Sequence, residues 1–433
     1  MSSTALKRAV LHPAWDCRIR FSDLEYKPTS LRIGDLAGNH FSLVLRGVPA
    51  SLSAPEGRQQ IQLATESLKN EGFLNFFGLQ RFGSQRIASH LIGAALLASD
   101  WDGALKLILG DAAADLLPLA MKIAAGGNGG LDALPRLPQS HHLERELLGG
   151  VADGLSAEAA LRRLPFSVLF MYVNAAQSLV FNSVLSHRVR HFGSQPVQGD
   201  LAAPSSAASA SGAAAAAADG VFGLAWGALG APTLSSRAAA SLGPQGLAST
   251  VLPLPGRSIR YPPHLKAAYE EASQELLSIP LAAFHAAAGI TPPEGAYRAA
   301  AVRPESVESH FLAPEEVVRL GKGILLSDVD SLYQAGSSTG AQSSADSSFV
   351  SAPIAGSSAK HNKNSNNSNN DNNNNKNNSI NNQHSQRRPP NTATEEAALV
   401  LKFSLAPAAY ATMAVRELSR GLADVIQADA QTE

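Results

Sequence analysis

Apolar residues recur along this chain at two spacings, a period of two and a helical period, so both strands and helices are expected. In Phe41-Ser42-Leu43-Val44-Leu45-Arg46, the residues Phe41, Leu43 and Leu45 share one face at a period of two, which predicts a strand with one buried side. Helical spacing follows over 57–70, with Ile61, Leu63, Ala64 and Leu68 in register. A second helix is expected from about Ser84, with Ile87, Leu91, Ala94 and Ala95 on one stripe, and a third from about Asp100 to Leu109. From Phe166 to Arg190, Val173, Ala176, Val180 and Val184 run down one side with Gln177, Phe181 and Leu185 beside them. That helix ends in the basic group His187, Arg188, Arg190 and His191. Pro253, Pro255, Pro262 and Pro263 punctuate a loop before a further helical stretch that runs from about Pro263 to Leu277. Near the end, Leu399, Leu401, Phe403 and Leu405 alternate as a strand, and Ala411, Val415, Leu418 and Leu422 mark a last helix.

Between these elements the pattern fails. Gly126 to Gly130 marks a flexible break. Over 201–250 only Asp219 and Arg237 are charged and alanine is unbroken from Ala213 to Ala218, so this stretch reads as a biased insertion without assigned structure. Residues 361–382 hold 14 asparagines in 22 positions, too few apolar groups to offset the entropy of ordering, and are expected to be disordered.

The 433 residues leave ample length for two or three domains. Lys and Arg total 35 against 36 for Asp and Glu, so any nucleic-acid contact must use local patches rather than a global basic excess. The single cysteine, Cys17, excludes an intrachain disulfide and a cysteine-only metal cluster. Met1 to Arg8 has no apolar signal-like core, and no run of membrane-spanning length stands out. The expectation is a soluble intracellular protein of the nucleus or cytoplasm, with an organelle also open.

The densest chemistry lies in Gly72-Phe73-Leu74-Asn75-Phe76-Phe77-Gly78-Leu79-Gln80-Arg81-Phe82-Gly83, in a chain that is only 6% aromatic. Asn75, Gln80 and Arg81 interrupt the phenylalanines, which breaks any core-strand alternation, and the glycines permit close backbone approach. Such a mixture suits a planar polar ligand: rings stack, amides pair with a pyrimidine edge, and arginine holds a phosphate or stacks as a planar cation. From residue types alone a nucleobase pocket and a glycine-flanked core turn both remain open.

This segment resembles the Asn-Tyr/Phe-Phe-Gly-x-Gln-Arg-Phe-Gly motif of the TruD-type tRNA pseudouridine synthases. Further blocks follow the family order: Gly34 to Phe41 upstream, Ile87 to Gly93 and Asp100 to Ala104 after the motif, Tyr172 to Arg190 with Gln177, Phe181 and Asn182, Leu252 to Gly256, and Leu401 to Leu418. The resemblance implies an α+β fold: a catalytic domain of antiparallel or mixed sheet and helices, interrupted by a second domain that helps clamp RNA. It places the first catalytic part at 1–110, the inserted domain at 111–296, a returning strand at 297–304, an expanded and largely disordered loop at 305–398, and the last strand and helix at 399–433. A long loop of this kind is tolerable because closure costs only roughly 0.6 kcal/mol per doubling of length.

By the same resemblance the reaction isomerises uridine in tRNA or other RNA, without cofactor or metal, in a monomer that needs no membrane. The uridine leaves its stack, and an aspartate acts as nucleophile or base while an aromatic ring holds the detached uracil. The resemblance implies that Phe77 stacks on the uracil, that Asn75 contacts the base or orients the aspartate, and that Gln80, Arg81 and Phe82 support the loop. The aspartate belongs to a Gly-x-Lys-Asp-Lys/Arg-Arg-Ala-Val motif. Lys7 to Val10 match its end, but Ala5 stands where the lysine belongs and Leu6 where the aspartate belongs. Two expectations follow: an N-terminally truncated form of an active enzyme, or a catalytically inactive homologue that still binds RNA. A second departure is Pro407-Ala408-Ala409-Tyr410, where the family has Pro-Gly-Ser-Tyr; a glycine needed there for positive φ would be poorly replaced by Ala408. Two other candidates are weak. Gly336 to Gly340 fits a nucleophile-elbow pattern without the strand-turn-helix context, and His141 to Glu146 reads as a solvated loop rather than a metal site.

Overall fold

In the computed structural model, residues 36–49, 54–83, 86–112, 141–202, 232–286, 292–320 and 397–429, with positions 30 and 52, are described. Strands β1 (Asn39–Val48), β7 (Glu305–Leu312) and β8 (Ala397–Leu405) form an antiparallel sheet in the order β1-β8-β7. Strand β8 is central, and all its residues except Lys402 and Ser404 are buried, which is why its sequence is nearly continuous in apolar residues. Helix α1 (Pro55–Asn70) opens with proline, places Glu56 in its first turn and Lys69 in its last, and so complements its own dipole. It buries Ile61 and Leu68 in one core with Leu401 and Phe403 of β8, and Thr65 against Ser309 of β7. The last helix, α10 (Ala411–Asp429), adds Ala414 and Leu418 to this core.

A second, larger core is built on α6 (Phe166–Phe192). Val173, Ala176, Gln177, Val180, Phe181, Val184 and Leu185 are all buried, as the helical spacing predicts. Around α6 lie α2 (Ser89–Leu97), α3 (Trp101–Ala112), α4 (His142–Ala152), α5 (Ala157–Leu161) and α8 (Lys266–Leu277), the last reached from the short α7 (Ser236–Ser241) through strand β4 (Thr250–Leu254). Gly93 of α2 faces the Tyr172 carbonyl so closely that a Cβ would lie 2.1 Å from its oxygen, and this contact lets the two helices touch backbone to backbone.

Two small antiparallel sheets connect these cores. Strand β2 (Phe73–Leu74) pairs with β6 (Ala301–Val302), and β3 (Leu201–Ala202), β4 (Thr250–Leu254) and β5 (Ala296–Ala299) pair in that order. Ala300 joins them, donating its N–H to Thr250 O at 3.0 Å and accepting from Asn75 N at 2.9 Å.

The fold corrects several sequence expectations. Leu63 is 57% exposed and Thr65 takes the inward position on α1, donating its hydroxyl to Ile61 O at 2.7 Å; that bond satisfies the polar group within its own helix. Helix α2 starts at Ser89, so Ile87 precedes it, and Leu91 faces out while Ile92, Leu96 and Leu97 face in. The loop expected over 305–398 begins with ordered structure: β7, then α9 (Pro314–Leu320). Strand β7 escaped the pattern because it is an edge strand whose outer positions carry Glu305, Glu308 and His310. The return at 297–304 is two short strands in different sheets. The 201–250 stretch contributes β3, α7 and the turn Gly243–Ser249. His142 to Glu146 belong to α4 rather than to a loop. Helix α6, at 27 residues, is long and apolar enough to cross a membrane by composition, contrary to the sequence reading; here most of its apolar positions are packed inside the second core, while Phe166, Met171 and Phe192 are exposed. Leu6, Gly34, Gly126 to Gly130, Ala213 to Ala218, Gly336 to Gly340 and the asparagine-rich segment lie outside the described residues.

Candidate nucleotide site

The motif leaves β2 as an extended segment and turns through one 3-10 turn, Leu79–Phe82. Its alternating residues face opposite ways: Asn75 and Phe77 are buried at 3% exposure each, while Phe76 is half-buried on the other side. Asn182, from the middle of α6, clamps the Phe77 backbone. Phe77 N donates to Asn182 Oδ1 at 2.9 Å, and Asn182 Nδ2 donates to Phe77 O at 3.0 Å. The amide thus replaces a neighbouring strand for one residue.

The centre of the arrangement is a residue that the pattern did not single out. Arg298, on β5, is 0% exposed. Its Nε donates to Asn75 O at 2.8 Å, its Nη2 to Asn75 Oδ1 at 2.6 Å, and its Nη1 to Ala408 O at 3.1 Å. Asn75 Nδ2 in turn donates to Ala299 O at 3.1 Å. The Arg298 guanidinium lies 4.0 Å from the Phe77 ring centroid, and Arg81 lies 5.0 Å from the same ring. Phe181 and Tyr410 meet that ring edge-on, at 5.5 and 6.0 Å. Burial lowers the Arg298 pKa to about 9, Tyr410 opposes the shift, and Arg81 adds to it. These three hydrogen-bond acceptors are neutral oxygens, and among the described residues no carboxylate pairs with this cation. A buried cation in this state is a strong recipient for an anion.

The Pro407 to Thr412 turn closes the site. Ala408 has φ of +59°, in the left-handed region, so the glycine of the family pattern is replaced by a strained alanine whose carbonyl is held by Arg298. Gly78 leaves little space for a side chain: a Cβ there would press on the end of Gln80 and sit 2.9 Å from Tyr410 Cδ1 and 3.1 Å from Thr412 Oγ1. Of the residues proposed from the sequence, Asn75, Phe77 and Arg81 converge on Arg298. Gln80 is exposed, and Phe82 packs edge-on against His90 at 5.7 Å. Asn75 spends its amide on Arg298 and Ala299, so here it orients other groups instead of offering a free edge to a base. One face of Phe77 is likewise taken by Arg298.

The basic end of α6 also differs from expectation. Arg188 is buried and forms a two-point pair with Asp200, Nε to Oδ1 at 2.9 Å and Nη2 to Oδ2 at 2.7 Å. Burial alone would raise the Asp200 pKa, but Arg188, His264 and the Val197 N–H together hold it down at about 2. Among the described residues, no group of three His, Cys, Asp or Glu is arranged to hold a metal ion.

Comparison with solved structures defines the class first. The fold matches that of a Methanosarcina mazei protein assigned as tRNA pseudouridine synthase D, with a TM-score of 0.53 at 18% identity, over 93% of this chain and 74% of that one. This is the α+β pseudouridine synthase fold. Residues 16–320 match the family model of tRNA pseudouridine synthase D (TruD), and the chain belongs to that family. The matched span begins after Leu6. Among curated relatives, the multisubstrate pseudouridine synthase 7 of Schizosaccharomyces pombe is 30% identical over 322 residues, covering 71% of this chain and 45% of the relative. The pseudouridylate synthase 7 homolog of Mus musculus is 26% identical over 306 residues, covering 69% and 41%. The chain therefore spans less than half the length of these relatives.

Proposed function

We propose that this chain forms the uridine-binding part of an RNA pseudouridine synthase, with tRNA as the first substrate to try. The observation that carries the reading is Arg298: a buried guanidinium, fixed by Asn75 and Ala408 and stacked on Phe77, with no anion beside it among the described residues. Isomerisation needs a carboxylate held at fixed geometry against the ribose or base, and a fixed cation beside it would keep that carboxylate ionised and aimed. Asn75 orients Arg298, Phe77 shields it from water, and Arg81 and Tyr410 border the space in which a flipped base would lie. No metal or cofactor is needed, because proton and glycosyl transfers are within the reach of a carboxylate. The protein would act as a monomer inside the cell, where its RNA is found.

Leu6, at the family aspartate's position, supports a second reading in which the same site binds RNA without isomerising it. Release of tritium from RNA containing 5-tritiated uridine separates the two. Release by the protein expressed from its natural transcript supports the enzyme. RNA binding without release supports the binding homologue, and absence of both rejects the site.

A further inference from the structure

Leu79 is 83% exposed, more than any other large apolar side chain on the described surface. Single exposed leucines are ordinary on soluble proteins, and Leu63 at 57% or Val318 at 71% needs no explanation. Leu79 differs in where and how it is mounted. It lies two residues after Phe77, so its Cα is within about 7 Å of that of Phe77. It starts the 3-10 turn Leu79–Phe82, which is closed by Arg81 N donating to Gly78 O at 3.0 Å. The preceding Gly78 packs closely against Tyr410 and Thr412, with little space for a Cβ. The side chain is therefore presented outward from a turn that cannot easily rotate, beside the exposed Gln80 and the half-buried Arg81.

We infer that Leu79 is a wedge that enters the RNA stack as the target uridine leaves it. This rests on the reading of the motif as a uridine site. A nucleotide that flips out leaves a gap whose flanking bases lose a stacking neighbour, and an apolar side chain inserted there replaces part of the lost contact. A branched aliphatic side chain of this size fills such a gap without a hydrogen bond, so it holds the gap open for any flanking sequence. Of its neighbours on the turn, Gln80 is exposed and within reach of the opened strand, while Arg81 stays against the Phe77 ring. Leu79 is thus a positioning residue for flipping and takes no part in bond making.

The test compares two RNA duplexes that differ at one position. In the first, a single uridine is paired with adenine inside the helix. In the second, the same uridine lies opposite an abasic site and is already free to leave. Binding of the 433-residue chain to each is read by fluorescence anisotropy, with 2-aminopurine beside the uridine reporting unstacking. Leu79→Ala is expected to weaken binding to the paired RNA by roughly tenfold and to abolish the 2-aminopurine rise, while changing affinity for the abasic RNA by less than about twofold. Leu79→Met should keep both signals. Equal loss on the two RNAs, or no loss on either, overturns the wedge while leaving the uridine site intact. If the unaltered chain binds neither RNA, the site reading fails and the wedge falls with it.

Discussion

The Asn182 clamp makes a prediction whose size follows from its geometry. Asn182→Ala removes one donor and one acceptor from the Phe77 backbone, at 2.9 and 3.0 Å, in a partly buried setting. A buried polar group left without a partner costs about 1–3 kcal/mol, so two such groups, discounted for partial exposure, give a loss of about 2–4 kcal/mol. For a chain of this size, at about 2 °C per kcal/mol, that corresponds to a fall in Tm of roughly 4–8 °C, read by circular dichroism and cross-checked by urea denaturation at constant m. Asn182→Asp retains the acceptor for Phe77 N but sets a carboxylate oxygen against Phe77 O, so it should be destabilised by a similar amount. If Asn182→Ala loses less than about 0.5 kcal/mol, water replaces the amide and the clamp is not what holds the motif against α6.

Other consequences can be measured on the same chain. Ala408→Gly should stabilise the protein by roughly 0.5–1 kcal/mol, because the left-handed conformation at φ +59° costs alanine more than glycine loses in entropy; a loss in urea denaturation would contradict this. Gly93→Ala should destabilise by about 1–3 kcal/mol in the same assay, since the new methyl meets the Tyr172 carbonyl, which is backbone and cannot swing aside. Arg188→Leu leaves the buried Asp200 with only His264 and the Val197 N–H beside it and should cost about 3 kcal/mol. The Asp200 pKa is lowered on folding, from 3.8 to about 2, so its contribution is fully present above about pH 4 and fades as the pH falls towards 2. An Asp200→Asn variant should therefore lose the part of the acid-unfolding slope that lies in that window.

Strong periodicity made much of this fold legible in the sequence. The α6 stripe and the β8 alternation come from long elements buried on most sides, where every position is constrained. The edge strand β7 was missed because one face is charged, and the α2 stripe was displaced by one residue because nearly all its positions are apolar. At the site, the motif residues Asn75, Phe77 and Arg81 could be read from their unusual company. Arg298 could not, because its only sequence signal is one charge within Ala296-Tyr297-Arg298-Ala299-Ala300-Ala301-Val302, and a charge in a short strand usually marks a solvent-facing position. Its burial is created by four distant segments that meet around it: the motif, α6, β5 and the Ala408 turn. The role of Asn182 was hidden for the same reason, since pairing with the Phe77 backbone is a long-range event. Arg188, grouped in the sequence with exposed basic neighbours, turned inward because Asp200 lies opposite it.

The central claim is that uridine in RNA is held against the 72–83 motif beside the Arg298 cluster. Photocrosslinking tests it directly: a tRNA transcript carrying 5-iodouridine is irradiated with the chain, and the linked peptides are mapped by mass spectrometry. The account predicts crosslinks within residues 72–83 and at Tyr410, and their loss in an Arg298→Met variant that remains folded. Crosslinks confined to other surfaces, or unchanged by that variant, would contradict it.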